Sequence, residues 1–330
     1  MLEHGGRLRR AASEYGIALQ DWLDLSTGIN PTPWPVSEIP LSAWHRLPED
    51  DDDLEAAAAE YYGTDQLLAV AGSQAAIQLL PALIPGARVT IPGPTYAEHP
   101  HAWRNATPLR INASAGSIDA AIDATDVLVL VNPNNPSGEF YERAQLLDWH
   151  RRLARRGGWL VVDEAFIDTA PYNSLATEAG NPGLVVLRSI GKFFGLAGAR
   201  VGFVLGPQNL RSALAEHLGP WAVSGPARIV TQAALRDHGW QLATRARLIA
   251  QGQRLASLLH DAGFDNARGP ALFQWFEHPH ARTLHRRLAC RGILVRHFDS
   301  PPSLRFGLPT LEADWQRLAD ALNTPGIKDL

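Results

Sequence analysis

Lysine is almost missing from this chain. Of its 30 basic residues, only Lys192 and Lys328 are lysines. Cysteine is scarcer still. The one cysteine, Cys290, excludes an intrachain disulfide and fits a reducing compartment. No apolar run approaches the length a membrane-spanning helix needs. The opening Met1-Leu-Glu-His-Gly-Gly-Arg7 has no apolar stretch of signal-peptide length. The expectation from these absences is a cytoplasmic protein with no membrane partner. A net charge of -4 and an isoelectric point near 6.3 leave no basic footprint for nucleic acid. The chain has no internal repeat and no low-complexity tract.

What remains is the composition of an ordinary globular protein, 45% apolar and 19% charged. A length of 330 residues is more than one typical core holds. The reading is an N-terminal arm contributing to a small domain (residues 1–45), a large domain (46–207), and a C-terminal segment completing the small domain (208–330). Residues 8–15 carry a short helical pattern, and Leu23 to Pro31 is an apolar stub ending in turn formers. The five acids Glu49 to Asp53 are expected to be a solvated helix N-terminus ahead of a helix-prone stretch, 54–62.

From Leu67 onward, short apolar runs alternate with helical patterns. Strands are expected at 68–71, 88–91, 108–111, 127–131, 159–162 and 184–187, with helices at 75–84, 94–103 and 142–156 between them. That spacing implies an α/β fold with a doubly wound, mostly parallel sheet. From about residue 208 the pattern turns helical, with a long stretch from 228 to 263. Strands at 272–276, 293–296 and 304–307 then give a second, smaller α+β unit.

Polar residues gather where the strands of the large sheet end, the edge at which open α/β sheets bind ligands. Gly72-Ser73 follows the first strand and opens a helix, a ready anion site. Asn132-Pro-Asn-Asn-Pro-Ser-Gly138 follows the fourth, and Asp163-Glu-Ala-Phe166 the fifth. The sixth leads into a Gly-rich turn with Ser189, Lys192 and, eight residues on, Arg200. Arginine cannot replace an amine that must lose its proton or form a Schiff base. A chain that spells nearly every cation as arginine has kept a lysine in this turn. A hydroxyl, an amine and a fixed cation together suit one molecule bearing a phosphate and an aldehyde, such as pyridoxal 5'-phosphate.

In this order, these motifs resemble the fold-type I pyridoxal-phosphate enzymes, the aspartate aminotransferase superfamily, over nearly the whole chain. The resemblance implies that Lys192 forms the Schiff base with the cofactor and later moves protons. Asp163 would pair with the pyridine nitrogen and so make the ring an electron sink. Asn135 would hydrogen-bond the phenolic oxygen. Gly72, Ser73, Ser189 and Arg200 would hold the phosphate, Tyr96 would lie on the ring face, and His99 would lie near the ring or Asp163. Arg305, in Ser-Leu-Arg-Phe-Gly, would take the substrate's α-carboxylate.

Within the superfamily two branches compete. His4-Gly-Gly-Arg7, Leu23-Asp-Leu-Ser-Thr-Gly-Ile-Asn-Pro31 and Asp163-Glu-Ala-Phe-Ile-Asp168 are similar to the threonine-phosphate decarboxylases of cobalamin biosynthesis. Asn132-Pro-Asn-Asn-Pro136 and Gly292-Ile-Leu-Val-Arg296 are shared with the histidinol-phosphate aminotransferases. That second branch carries tyrosines where this chain has Phe166 and Leu47, and both departures count against it. The decarboxylase likeness implies a phosphorylated amino acid as substrate, with His4 and Arg296 on its phosphate and Asn30 beside it, and a homodimer. A pyridoxal-phosphate-sensing transcription regulator is disfavoured, because the arm before Leu67 is short and shows no helix-turn-helix or basic face.

Overall fold

The computed structural model describes residues 2–86 and 88–327, so Lys328 lies outside the described residues. Among the described residues, eleven strands run in chain order. They are β1 (Leu23–Leu25), β2 (Leu67–Val70), β3 (Val89–Gly93), β4 (Leu109–Asn112), β5 (Val127–Val131) and β6 (Trp159–Asp163). The chain continues with β7 (Leu184–Ser189), β8 (Gly202–Leu205), β9 (Phe273–Glu277), β10 (Ile293–Asp299) and β11 (Pro302–Gly307). Two compact units form: one of residues 1–32, 136–138 and 244–330, the other of 33–135 and 139–243. The boundaries expected near 46 and 208 both fall inside the second unit.

The second unit is built on a seven-stranded sheet of order β2-β8-β7-β6-β5-β3-β4. β3 to β7 run parallel, whereas β8 is antiparallel to both of its neighbours. β5 reads Val-Leu-Val-Leu-Val and is buried throughout, the continuous apolar run expected of a strand covered on both faces. Strand side chains alternate between faces. Val129, Val161, Val185 and Leu187 therefore pack on one face with Ile77 and Leu80 of helix Ser73–Leu83. β8 was not foreseen as a strand. Its four residues follow Arg200 at φ 55, and Gly202 is required because a Cβ there would lie 2.6 Å from the Ser73 amide nitrogen.

The first unit carries a four-stranded sheet of order β1-β10-β11-β9, in which β1 pairs parallel with β10 and the other pairs are antiparallel. Stacked Phe264, Phe276 and Phe306 fill its core, with ring centroids 4.4 and 5.7 Å apart. Helix Leu8–Tyr15 forms where the sequence places it and ends on Gly16 at φ 67, a left-handed C-terminal position that suits glycine.

Two local expectations are corrected. The helical stretch 228–263 is broken at Asp237 into helices Gly225–Arg236 and His238–Asp261. Asp237 accepts from the Trp240 amide at 3.0 Å through Oδ1, capping the second helix, and from the Trp34 indole at 3.0 Å through Oδ2. The acids Glu49–Asp53 are not simply solvated. Asp52 takes Arg228 in two hydrogen bonds of 2.7 Å, Glu55 takes it at 2.8 Å, and the Arg228 side chain is only 4% exposed. A buried guanidinium needs charge partners, and the acidic run supplies them.

Candidate functional site

The second unit gathers one set of sequence-marked residues at the carboxyl ends of its parallel strands. Asp163, the last residue of β6, is 3% exposed. Its Oδ1 accepts from the Ala165 amide at 3.0 Å, and its Oδ2 lies 3.0 Å from His99 Nε2. His99 is 1% exposed and sits on the short helix Glu98–Ala102. Of the two positions left open for His99 in the sequence, the structure gives the one beside Asp163. A buried carboxylate with a single imidazole partner can anchor a cationic nitrogen of a ligand.

Tyr96 meets His99 edge to face at 6.1 Å, and its hydroxyl reaches Gln74 at 3.5 Å. Gln74 in turn donates to Glu98 at 2.8 Å. This side chain is therefore tied into a polar chain as well as packed. Asn134, next to Asn135, accepts from the Thr95 hydroxyl at 2.9 Å and donates to the Pro94 carbonyl at 2.7 Å. Asn132 is buried and pairs with both backbone groups of Tyr141, at 2.9 and 3.0 Å. The Asn-Pro-rich run is thus held rigidly, which fixes where Asn135 begins.

Gly72 has φ 75 and ψ 155, and helix Ser73–Leu83 starts with no side-chain cap. Its first N–H groups are therefore available to an anion. The Arg200 guanidinium packs against Gly72 so closely that a Cβ there would lie 2.7 Å from Nη2. The positive φ of Gly72 favours glycine there. The Ser189 hydroxyl, at the end of β7, accepts from the Gly191 amide at 3.2 Å. A helix N-terminus, a guanidinium and a hydroxyl make a chemically coherent phosphate cradle, and Lys192 supplies an amine three residues beyond Ser189. The Lys192 Nζ lies 5.7 Å from the centre of the Phe166 ring, which is itself 4% exposed. This donor set fits pyridoxal phosphate.

The first unit holds the other set. Antiparallel pairing sets Arg296 of β10 directly opposite Arg305 of β11. Like charges so placed repel each other, and an anionic ligand offsets that cost. Arg305 is 7% exposed, donates to the Ser26 carbonyl at 2.9 Å, and lies over the Phe273 ring at 5.2 Å. Arg296 donates to the Glu3 carbonyl at 2.6 Å and lies over Phe298 at 5.0 Å. The N-terminal segment is pinned beside both arginines. Gly6 N–H donates to the Ser26 hydroxyl at 2.7 Å, and Gly5 leaves no room for a side chain against the Ser26 carbonyl. His4 and Arg296 line a cleft of about 770 Å³ together with Arg7, Arg10 and His285. Asn30 is buried, and its Oδ1 accepts from the Thr32 amide at 3.0 Å, so much of its capacity goes to its own turn.

Sequence reasoning passed over one buried cluster. Arg188 on β7 is held by Asp168, by Glu164 at 3.4 Å and by the Ser174 hydroxyl at 3.0 Å. Tyr61 donates to Asp168 at 2.9 Å. Burial pushes the Glu164 carboxyl above its usual range, against the pull of Arg188. Its signal was present in Asp163-Glu-Ala-Phe-Ile-Asp168, two further acids beside an apolar strand end.

The sheet order and the residues at its edge define a class, the pyridoxal-phosphate-dependent enzymes of fold type I. Within that class the chain belongs to the aminotransferase class I and II family, whose model matches residues 42–322. It is 58% identical to a threonine-phosphate decarboxylase of Pseudomonas aeruginosa, covering 98% of this chain and 97% of the relative. It is 44% identical to a threonine-phosphate decarboxylase of a Sinorhizobium species, over 97% of each. Among solved structures, the histidinol-phosphate aminotransferase of Sinorhizobium meliloti in complex with pyridoxal-5'-phosphate superimposes with a TM-score of 0.81. That match covers 99% of this chain and 95% of the other at 20% identity, a likeness of fold.

Proposed function

We propose that this protein is a pyridoxal-phosphate-dependent carboxy-lyase that decarboxylates L-threonine O-3-phosphate to (R)-1-amino-2-propanol O-2-phosphate, a step of cobalamin biosynthesis. The observation that carries this reading is the register of Arg296 opposite Arg305. Two guanidiniums side by side suit a small substrate with two anionic ends, an α-carboxylate and a phosphate. The two relatives that match along their whole length carry the same activity in their names.

The residues divide the work. Arg305 takes the carboxylate in the bidentate way open to a guanidinium. Arg296, with His4, takes the substrate phosphate, and Asn30 shapes the adjoining turn. Holding both ends fixes which bond at the α carbon stands ready to break, and such positioning is worth several orders of magnitude in rate. Pyridoxal phosphate, when bound, supplies the electron sink for the pair released as carbon dioxide departs. Asp163, oriented by His99, would hold the ring nitrogen. Asn135 would donate to the phenolic oxygen, Tyr96 would pack against the ring, and Gly72, Ser73, Ser189 and Arg200 would hold the phosphate. The Lys192 amine would hold the cofactor through its aldehyde and, freed from it, would supply the proton that replaces the lost carboxylate at the α carbon.

The protein works as a homodimer in the cytoplasm. Among the described residues, Leu41, Trp44 and Leu47 are 74, 64 and 63% exposed, an apolar segment suited to self-association. No helix among the described residues is long and apolar enough to cross a membrane.

The test is to supply the holoenzyme with threonine phosphate and measure carbon dioxide and the amine product. In parallel it is given histidinol phosphate with 2-oxoglutarate. Transamination of histidinol phosphate, with threonine phosphate left untouched, overturns the reading in favour of the aminotransferase branch.

A further inference from the structure

β6 and β7 are parallel neighbours, with Asp163 opposite Leu187 in register. Alternation sends Asp163 and Ser189 to the face shared with Val161, Val185 and Leu187, the face covered by helix Ser73–Leu83. The next residue of the first strand and the preceding residue of the second, Glu164 and Arg188, point to the opposite face. There the Arg188 side chain is 3% exposed, between Glu164 at 0% and Asp168 at 3%.

The cluster is tied in on every side. The Glu164 backbone N–H donates to the Leu187 carbonyl at 2.9 Å, the bond that continues the strand ladder past Asp163. Glu164 also accepts from the Ser174 hydroxyl and from the Leu175 amide at 2.8 Å. Arg188 lies 4.6 Å over the Tyr62 ring, and Tyr61 closes the far side through Asp168. Its Nε has no hydrogen-bond partner. A buried ion cluster of this kind adds little stability over apolar packing of the same volume. Its position accounts for it better.

We propose that Arg188, clamped by Glu164 and Asp168, is a positioning residue for the cofactor site. Its grip locks the ends of β6 and β7 together from behind. The lock fixes the spacing of Asp163 from Ser189 and Lys192 and holds the short segment that presents Phe166 beneath the lysine amine. The cluster also sets the local field. Two carboxylates around one guanidinium leave the back of the site negative or neutral, and removing the Asp168 charge makes it more positive by one unit. This inference rests on the cofactor assignment proposed above and on no choice of substrate.

The experiment uses holoenzyme carrying Asp168→Asn, which keeps the shape and removes the charge, with Tyr61→Phe as a milder second variant. Cofactor affinity is measured by titrating the apoenzyme with pyridoxal phosphate, and the pH midpoint of the bound cofactor's visible band is read by absorbance. In Asp168→Asn the midpoint falls, because the loss of one negative charge behind the site disfavours the protonated form. Cofactor affinity weakens by about tenfold and kcat falls by a similar factor, with KM changing less than about twofold. Tyr61→Phe, which keeps the Asp168 charge but loosens its grip, weakens cofactor affinity and kcat by less and leaves the midpoint near the parental value. A lower melting temperature with midpoint, cofactor affinity and kcat all unchanged in both variants would overturn the proposal and leave the cluster a structural brace. Because the cofactor readouts need no substrate, they stand even where the decarboxylase reading fails.

Discussion

The Lys192 amine sits 5.7 Å from the centre of the Phe166 ring, with no phenol between them. The resemblance to the histidinol-phosphate aminotransferases leads one to expect a tyrosine here, but the amine faces the π surface of an apolar, buried ring. A cation gains only modestly from such a face. In the proposed reading, the residue left to hydrogen-bond the cofactor's phenolic oxygen is Asn135.

Phe166→Tyr therefore adds a donor. A hydrogen bond to a charged group is worth about 1.5–3 kcal/mol, which corresponds to roughly one to two pH units. The pH midpoint of the bound cofactor's visible band should fall by up to that amount in the variant. The variant should still release carbon dioxide from threonine phosphate, since the proposed choice of substrate rests on Arg296 and Arg305. A midpoint unchanged within a tenth or two of a unit would show that the new hydroxyl does not reach the cofactor.

Asp163→Asn keeps the contact with His99 and with the Ala165 amide, so cofactor binding and melting temperature should stay close to those of the parent. Turnover should drop by about a hundredfold or more, the scale of losing one preorganised charge at a reacting centre. Near-parental turnover would reduce Asp163 to a cap on its own turn, closed by the Ala165 amide at 3.0 Å.

Borohydride reduction tests the lysine. The holoenzyme should be yellow and should trap a covalent cofactor adduct, which Lys192→Ala abolishes. The only other lysine is Lys328, so an adduct that persists in the variant identifies that residue and sinks the assignment of Lys192.

Much of this site was legible because its residues follow apolar strands in an order that only topology has to complete. β5 and β6 announce themselves as unbroken apolar runs; Asp163 closes β6 and Asn135 lies in the turn that follows β5. β8 was not legible. Its four residues sit between a left-handed Arg200 and a helix, and they join the sheet antiparallel through contacts distant in sequence. The role of the acids at 49–53 was hidden for the same reason, since their partner Arg228 lies about 175 residues away. The register that sets Arg296 opposite Arg305 needed the structure too, because sequence alone gives two strands but not which residues face each other.

Acid should loosen the first unit through two histidines. Burial lowers the His285 pKa most, helped by His297 and Arg296 and opposed by Glu14. Burial also leads for His297, with Arg282 and Arg296 lowering it and Asp299 opposing. Both folded pKa values lie below the ordinary value near 6.5, so the fold prefers the neutral rings. Their contribution is present above about pH 6.5 and is lost as pH falls through the folded values. Melting temperature should decline between about pH 7 and pH 5, and His285→Gln should flatten that decline. A slope unchanged by the substitution would assign the acid sensitivity to other groups.

The sharpest separation between the two arginines comes from changing the substrate along with the enzyme. Arg296 is assigned to the substrate phosphate and Arg305 to its carboxylate, so Arg296→Ala should matter only when a phosphate is present. Losing a charge-assisted contact of about 1.5–3 kcal/mol lowers kcat/KM for threonine phosphate by roughly tenfold to a hundredfold or more. Unphosphorylated threonine should be a poor substrate of the parent, and Arg296→Ala should leave that residual rate unchanged. Arg305→Ala should depress both, and Arg305→Lys should restore little, because an ammonium cannot reproduce the paired geometry of a guanidinium. Cofactor affinity, measured by titrating the apoenzyme, should be the same in all three variants, which separates lost substrate anchoring from damage to the Lys192 site. Equal losses on threonine and threonine phosphate in Arg296→Ala would mean that Arg296 does not read the phosphate, and the two-anion reading of the paired arginines would fall with it.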